Sequence, residues 1–471
     1  MTDRREFLKT SCAALTMTAL ATQMRHFGLI NALAQNENVD GGGDGGNYKA
    51  LVCVFLSGGN DSNNTVVPNY DAGYAQYSAA RAAQGLAIPR ANLLPISPPA
   101  MNGDAYGLHP SMTDLHTLWN QGKLAVVTNV GTLMQPLTRA QYQSGASRPM
   151  QLFSHSDQVD QFKTAISNYR SAIGWGGRLA DRTAAQNPGA AIPMISQIST
   201  GANVFTVGNT STPLIVAPAP TPLNQVLALN GFTDTDATTR RNAMNAIRQA
   251  DLEYSMTQAA SVITQQAINV SQQLSTDPVL TATFPNTTLG NQLRQVAKLM
   301  KFRTQLNMSR QVFYVQLGGF DTHSSQLSQH ATLWTQVSQA MKAFYDETVA
   351  QGIAEDVTTF TMSDFNRTLN PAGSGSGAGS DHAWGGHHFV MGGSVLGGNF
   401  YGKPTANGSI FPTLVNAGPD DAETRGRIIP TVSVEQYAAT LARWFGLSQT
   451  DIPLVFPNIN AFGGSNLGFM M

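Results

Sequence analysis

Between Gly318 and His388 the chain carries four polar islands: Gly318-Gly319-Phe320-Asp321-Thr322-His323, Ser363-Asp364-Phe365-Asn366-Arg367, Ser380-Asp381-His382 and His387-His388. Asp61, in the island Ser57-Gly58-Gly59-Asn60-Asp61, completes the set. Carboxylate and neutral imidazole are the donors of hard and borderline divalent ions, so Asp61, Asp321, His323, Asp364 and His382 form a candidate ligand set for Zn or Mn, with Fe, Ca or Mg as further options and one or two ions. Each residue alone has a plainer reading: an aspartate after Gly-Gly commonly accepts backbone N–H bonds in a turn, and Asp321 with His323 is also a hydrogen-bonded turn pair. Recurrence favours a shared site.

The elements that must position these residues are legible around them. Apolar runs precede three of the islands: Leu51 to Leu56, Val312 to Val315 and Val357 to Met362 read as buried strands. A helix is expected from Ser111, with Leu115, Leu118 and Trp119 on one face and Gly122 as its stop. The strand Leu124 to Val130 follows at once, and strand, helix and strand in this rhythm indicate a parallel sheet. The ligands would then gather at the carboxyl ends of strands, where open α/β sheets bind their ligands. Leu333, Val337, Met341 and Phe344 mark a core helix. Ser433-Val434-Glu435-Gln436 is a capping box for another, closed by Gly446. From about 195 to 285 prolines and a Gln-, Ala- and Asn-rich stretch suggest an inserted helical cap, with Thr235 to Thr276 helical.

Three features near the islands carry less weight. The Gly/Ser-rich run from Pro371 to Ser380 reads as a lid or as a solvated loop. His387 and His388 begin a strand, so at most one is expected to face the site. Arg367 is a candidate for holding an anionic substrate oxygen, with an ordinary ion pair as the plainer role.

The N-terminus reads as a twin-arginine export signal: Arg4-Arg5 with Phe7-Leu8-Lys9, a mildly apolar stretch, and Ala32-Leu33-Ala34 as a cleavage site. The expected organisation is a signal at 1–34, a Gly-rich linker at 35–47 and one α/β domain at 48–471. Arg25 and His26 interrupt the apolar stretch, which is too short and polar to span a bilayer in the mature chain. Localisation is therefore expected to be periplasmic or secreted, with the Tat translocase a partner during export. Replacing Arg4 and Arg5 by lysine is expected to strand the precursor inside the cell, as fractionation would show; mature protein in the periplasm of that variant would refute the signal.

Only 12% of residues are charged and the formal net charge is -1. No basic field exists to attract nucleic acid. Cys12 lies in the signal, leaving Cys53 alone in the mature chain, so no intrachain disulfide can form there.

Taken together, Leu56-Ser57-Gly58-Gly59-Asn60-Asp61, Leu108-His109-Pro110, Leu152-Phe153-Ser154-His155-Ser156-Asp157-Gln158, Gly318 to His323, Ser363 to Thr368, Asp381 to His388 and Ile429-Pro430-Thr431-Val432-Ser433 resemble the exported bacterial domain-of-unknown-function family 1501. That family looks like a remote relative of the alkaline phosphatase and sulfatase superfamily. The resemblance implies an α/β fold, a mostly parallel sheet flanked by helices on both faces, with metal at the carboxyl edge. It implies Asp61 and Asp364 on one ion and Asp321, His323 and His382 on another. The superfamily usually follows the Asp364-like acid with histidine, whereas this chain has Phe365, which places one ion in question.

The superfamily nucleophile starts a helix after the second strand. Ser154 is the candidate, Ser156 the reserve, and a plain helix N-cap the alternative role. His155 is read as a ligand or acid–base group, or as a structural hydrogen-bonded histidine. Asp381, His387 and His388 remain additional candidates. The expected activity is metal-dependent hydrolysis of phosphate or sulfate esters on an anionic ester or glycan. The rival is a non-catalytic envelope protein that binds a glycan or an envelope protein.

Overall fold

The computed structural model describes residues 48–199, 203–223, 235–250 and 276–471, with the isolated positions 261, 265 and 274. The expected signal and linker lie outside the described residues. Nine strands form the main sheet: β1 Lys49–Leu56, β2 Leu124–Gly131, β3 Ile195–Ile198, β4 Leu214–Val216, β5 Arg310–Leu317, β6 Val357–Ser363, β7 Gly386–Gly392, β8 Phe400–Tyr401 and β9 Val432–Ser433. Their order is β8-β2-β7-β6-β1-β5-β3-β4, with β9 also pairing β2. Only β7 runs against its neighbours.

The sheet is buried on both faces, which is why its central strands read as unbroken apolar runs. In β1, Val52, Val54 and Leu56 belong to one core cluster while Leu51, Cys53 and Phe55 belong to the other. The first face is covered by α1 Thr113–Asn120, α4 Thr288–Lys301 and α5 Gln326–Ala350; the second by α2 His155–Thr164, α3 Trp175–Thr183 and α6 Val434–Phe445. Each large side chain sealed this way contributes about 1.5–3 kcal/mol. The capping box at Ser433 and the left-handed Gly446, at φ 119°, bound α6 as expected.

One expectation changes. The segment assigned to a cap from about 195 opens with β3 and β4 in the main sheet, the 16-residue helix Thr235–Ala250 comes later, and most of the expected helical stretch from 251 to 276 lies outside the described residues. Both strands are short, and β4 lies at the sheet edge beside Pro213, where a missing N–H is tolerated. Short proline-flanked strands carry little periodicity.

Register brings the islands together. Leu56 pairs with Leu317 and with Ser363, so β1, β5 and β6 end at one level and release Ser57–Asp61, Gly318–His323 and Asp364–Arg367 side by side. Because β7 is antiparallel, the residues before Gly386 arrive at the same edge, beside the end of β2 at Val130. Gly58, at φ +118°, sits in a contact where an added Cβ would lie 2.3 Å from the Asp321 backbone nitrogen. Only glycine allows these two loops to close on each other.

Candidate metal centre

Three imidazoles converge on one carboxylate oxygen at this edge. Asp321 Oδ1 lies 3.1 Å from His323 Nε2, 3.3 Å from His155 Nε2 and 3.6 Å from His382 Nε2. His323 Nε2 and His382 Nε2 are 2.9 Å apart. Four ligand atoms at 2.0–2.1 Å around a tetrahedral ion would be about 3.3–3.4 Å from one another. The observed spacings bracket that value.

The far side of each ring faces an acceptor, which assigns the proton of that nitrogen. His155 Nδ1 faces Asp364 Oδ2 at 2.8 Å, His382 Nδ1 faces the Phe153 carbonyl at 2.8 Å, and His323 Nδ1 faces Asp381 Oδ1 at 3.3 Å. Each partner is an acceptor, so each Nδ1 is assigned the donor role, and the tautomer this favours turns an Nε2 lone pair toward Asp321. Two Nε2 atoms 2.9 Å apart are held together by a proton on one of them or by a cation that both coordinate. His155 Nε2 is moreover buried without a hydrogen-bond partner. Imidazoles locked from behind by carboxylate or carbonyl are the usual support of a metal site. The residues therefore fit a divalent ion, with His155, Asp321 and His382 as its core and His323 alongside.

The hydrogen bond to Asp364 raises the pKa of His155, whereas burial lowers that of His382. Burial works against ionisation of Asp321, but the hydrogen bond and charge of Arg367 outweigh it and hold the carboxyl below its ordinary range. The same balance, with Arg425 as the cation, lowers Asp381. Both acids are thus kept in the anionic form that a ligand or an imidazole support requires. The side chains of Asp321 and His323 are 49% and 46% exposed, so the centre opens to solvent.

Several expectations are corrected. Asp61 is fully buried and does not join the cluster; its carboxylate is paired with Arg81 at 2.6 and 2.9 Å. Asp364 joins indirectly: its Oδ1 accepts from the Gly58 N–H at 2.9 Å and its Oδ2 orients His155. Arg367 is 0% exposed and donates to the carbonyls of Gly59, Ser380 and Gly58 at 3.0, 2.8 and 2.5 Å, and to Asp321. It ties loops together and offers no surface to a substrate anion.

His387 and His388 are both buried, and burial lowers both to about 3. His387 packs on Phe411 and accepts from the Asn129 N–H, while His388 stacks on Tyr437, on the opposite face of β7. Neither reaches the centre. Pro371 to Ser380 is pinned through the bonds between Ala372 and Gly379 and the Gly375 N–H to Gln84, as a built loop would be.

Ser154 occupies the N-cap position of α2, as the plainer role held, but its hydroxyl donates to Asp157 Oδ2 at 2.7 Å instead of capping the helix. Ser156 donates to the same oxygen at 3.1 Å. That hydrogen bond from Ser154, with help from Arg170, lowers the pKa of Asp157, leaving it a weak base. Phe153 just before is left-handed, at φ +70°, which aims its carbonyl at His382.

Two residues of the rim drew no attention in the sequence because single arginines on loops carry no motif. Arg427 lies 3.9 Å over the Phe153 ring and donates from Nε to the His382 carbonyl at 3.1 Å; Arg425 Nη2 reaches Asp381 Oδ2 at 2.5 Å. Their side chains are partly exposed beside the centre.

The chain belongs to the family of proteins of unknown function DUF1501, which matches residues 48–450. A search of curated proteins finds no match in sequence. Among solved structures it is similar to Ps i-CgsB in complex with k-i-k-neocarrahexaose, at 10% identity and TM-score 0.33 over 88% of this chain and 77% of that one. It is also similar to a protein in the alkaline phosphatase superfamily from Vibrio parahaemolyticus, at 9% identity and TM-score 0.31 over 90% and 75% of the two chains. The PsFucS1 sulfatase from Pseudoalteromonas sp. gives 9% identity and TM-score 0.27 over 80% and 68%. No helix among the described residues is long and apolar enough to cross a membrane.

Proposed function

We propose that this is an exported, metal-dependent hydrolase of anionic esters, phosphate or sulfate. The observation that carries the reading is the convergence of three Nε2 atoms on Asp321 Oδ1 at 3.1–3.6 Å. Bound there, Zn or Mn would polarise an ester oxygen and bring the pKa of a coordinated water toward neutrality. The chain's own residues orient and hold. Asp364, Asp381 and the Phe153 carbonyl fix the three rings, and Arg367 fixes Asp321. Arg425 and Arg427 present guanidinium groups to the anionic part of a substrate entering over the exposed side, in the planar geometry suited to phosphate or sulfate oxygens.

With the Ser154 hydroxyl committed to a weakly basic carboxylate, the attacking oxygen in this reading comes from water. The test is turnover of aryl phosphate, phosphodiester and aryl sulfate by mature protein before and after chelation. Activity is expected on at least one ester, lost on chelation and restored by Zn or Mn. Ser154→Ala is expected to stay within about threefold of wild type, since removing a true nucleophile would cost several decades. A loss of that larger size, with a covalent adduct on Ser154 by mass spectrometry in wild type, would return the nucleophile role to it. Metal-loaded protein inert on the whole panel would refute the hydrolase.

A further inference from the structure

The superfamily resemblance implies a second ion held by Asp61 and Asp364, and the geometry around those two residues excludes it. Arg81 and Asp61 are both 0% exposed and form a two-pronged pair, Nη1 to Oδ2 at 2.6 Å and Nη2 to Oδ1 at 2.9 Å. Asp61 Oδ1 also accepts from the Asn63 N–H at 3.2 Å, and Oδ2 accepts from the Gln326 amide. A carboxylate has about four lone-pair positions. All are engaged.

The guanidinium is held as firmly on its other side, by the carbonyls of Leu369 at 3.0 Å and Thr368 at 2.9 Å and by Asn64 Oδ1 at 2.6 Å. Arginine does not lose its proton within a protein, so this charge is permanent. An ion displacing it would leave a buried cation without its partner, a penalty that outweighs what one shared carboxylate returns.

Asp364 remains, with one oxygen on the Gly58 N–H and the other on His155 Nδ1, and without Asp61 it could offer a second ion only this single shared carboxylate. The position after it supplies no ligand. The Phe365 ring stands 4.7 Å, centroid to centroid, from both the His155 and His382 rings, filling the space behind them. Gly59 accommodates that ring: a Cβ there would lie 2.5 Å from Phe365.

We infer that the centre holds a single divalent ion, and that the Arg81 guanidinium permanently takes the place of a second cation beside Asp61. The inference rests on the metal reading proposed above and narrows it. One ion cannot clamp both the attacking and the leaving oxygen of a displacement as paired ions do. The remaining negative charge of the substrate must therefore be met by side chains, and Arg425 and Arg427, unlike the buried Arg367, are partly exposed guanidinium groups beside the centre.

The experiment counts ions. Mature protein stripped by chelator and reloaded with excess Zn, then freed of unbound metal, is analysed by mass spectrometry of the metal and by calorimetric titration. Wild type is expected to hold one Zn per chain, folded Asp61→Asn also one, and His382→Ala less than about a tenth of an equivalent. Two Zn per wild-type chain, or loss of the ion in folded Asp61→Asn, would overturn the inference while leaving the hydrolase reading intact. No Zn in wild type would overturn both. Should Asp61→Asn fail to fold, the wild-type count decides alone.

Discussion

Replacing His382 with alanine is expected to abolish both metal retention and ester turnover while the protein stays folded. The imidazole is half-buried and fixed by the Phe153 carbonyl, and its Nε2 lies 2.9 Å from that of His323. Removing it deletes one member of the donor set and leaves a small opening to solvent, so the loss falls on the centre and spares the core. A bound ion contributes several kcal/mol of charge stabilisation in the transition state, and about 4 kcal/mol corresponds to a roughly 1000-fold fall in kcat/KM. The check is kcat/KM on the best aryl ester, with metal content and thermal unfolding measured on the same sample. Unchanged activity in the alanine variant would move the active site elsewhere.

Arg367→Met is expected to have the largest effect on stability. The guanidinium is fully buried and joins three carbonyls, from Gly58, Gly59 and Ser380, to Asp321. Methionine fills much of the volume but donates nothing. The substitution leaves buried acceptors without partners and Asp321 without its cation, a class of change that costs about 3–5 kcal/mol. Chemical denaturation is expected to show that loss with an unchanged m-value, and metal affinity should fall with it because Asp321 loses its anchor. A variant as stable as wild type that failed only to bind anionic substrate would restore Arg367 to the anion-binding role that its burial argues against.

How much of this was legible in the sequence depends on range. The runs before Ser57, Gly318 and Asp364 announced strands, and strands that end at one level deliver their loops to one place, so the position of Asp321 and His323 at that edge followed from pattern, whereas His382 arrives there only because β7 runs antiparallel. The α6 boundaries were equally plain, because the Ser433 capping box and Gly446 are local chemistry. Asp61 was not legible. Its partner Arg81 ends a helix 20 residues on, and nothing in the spacing says that this arginine turns inward. Burial likewise decided Arg367, which looks the same in sequence whether it faces a substrate or three carbonyls. His155 needed the tertiary structure too: starting α2 makes it equally a structural histidine, and only its approach to Asp364 on one side and Asp321 on the other makes it a candidate ligand. Phe365 was legible as a departure, since the sequence shows directly that no imidazole follows Asp364.

The most direct test of the central claim is X-ray absorption spectroscopy on Zn-loaded mature protein. A shell of about four nitrogen and oxygen ligands near 2.0–2.1 Å is expected in wild type, with imidazole scattering fitting three rings, and folded His382→Ala treated alike is expected to retain too little Zn to give that shell. A wild-type spectrum without imidazole scattering, or folded His382→Ala that keeps a full equivalent of Zn with an unaltered spectrum, would show that the ion binds away from Asp321.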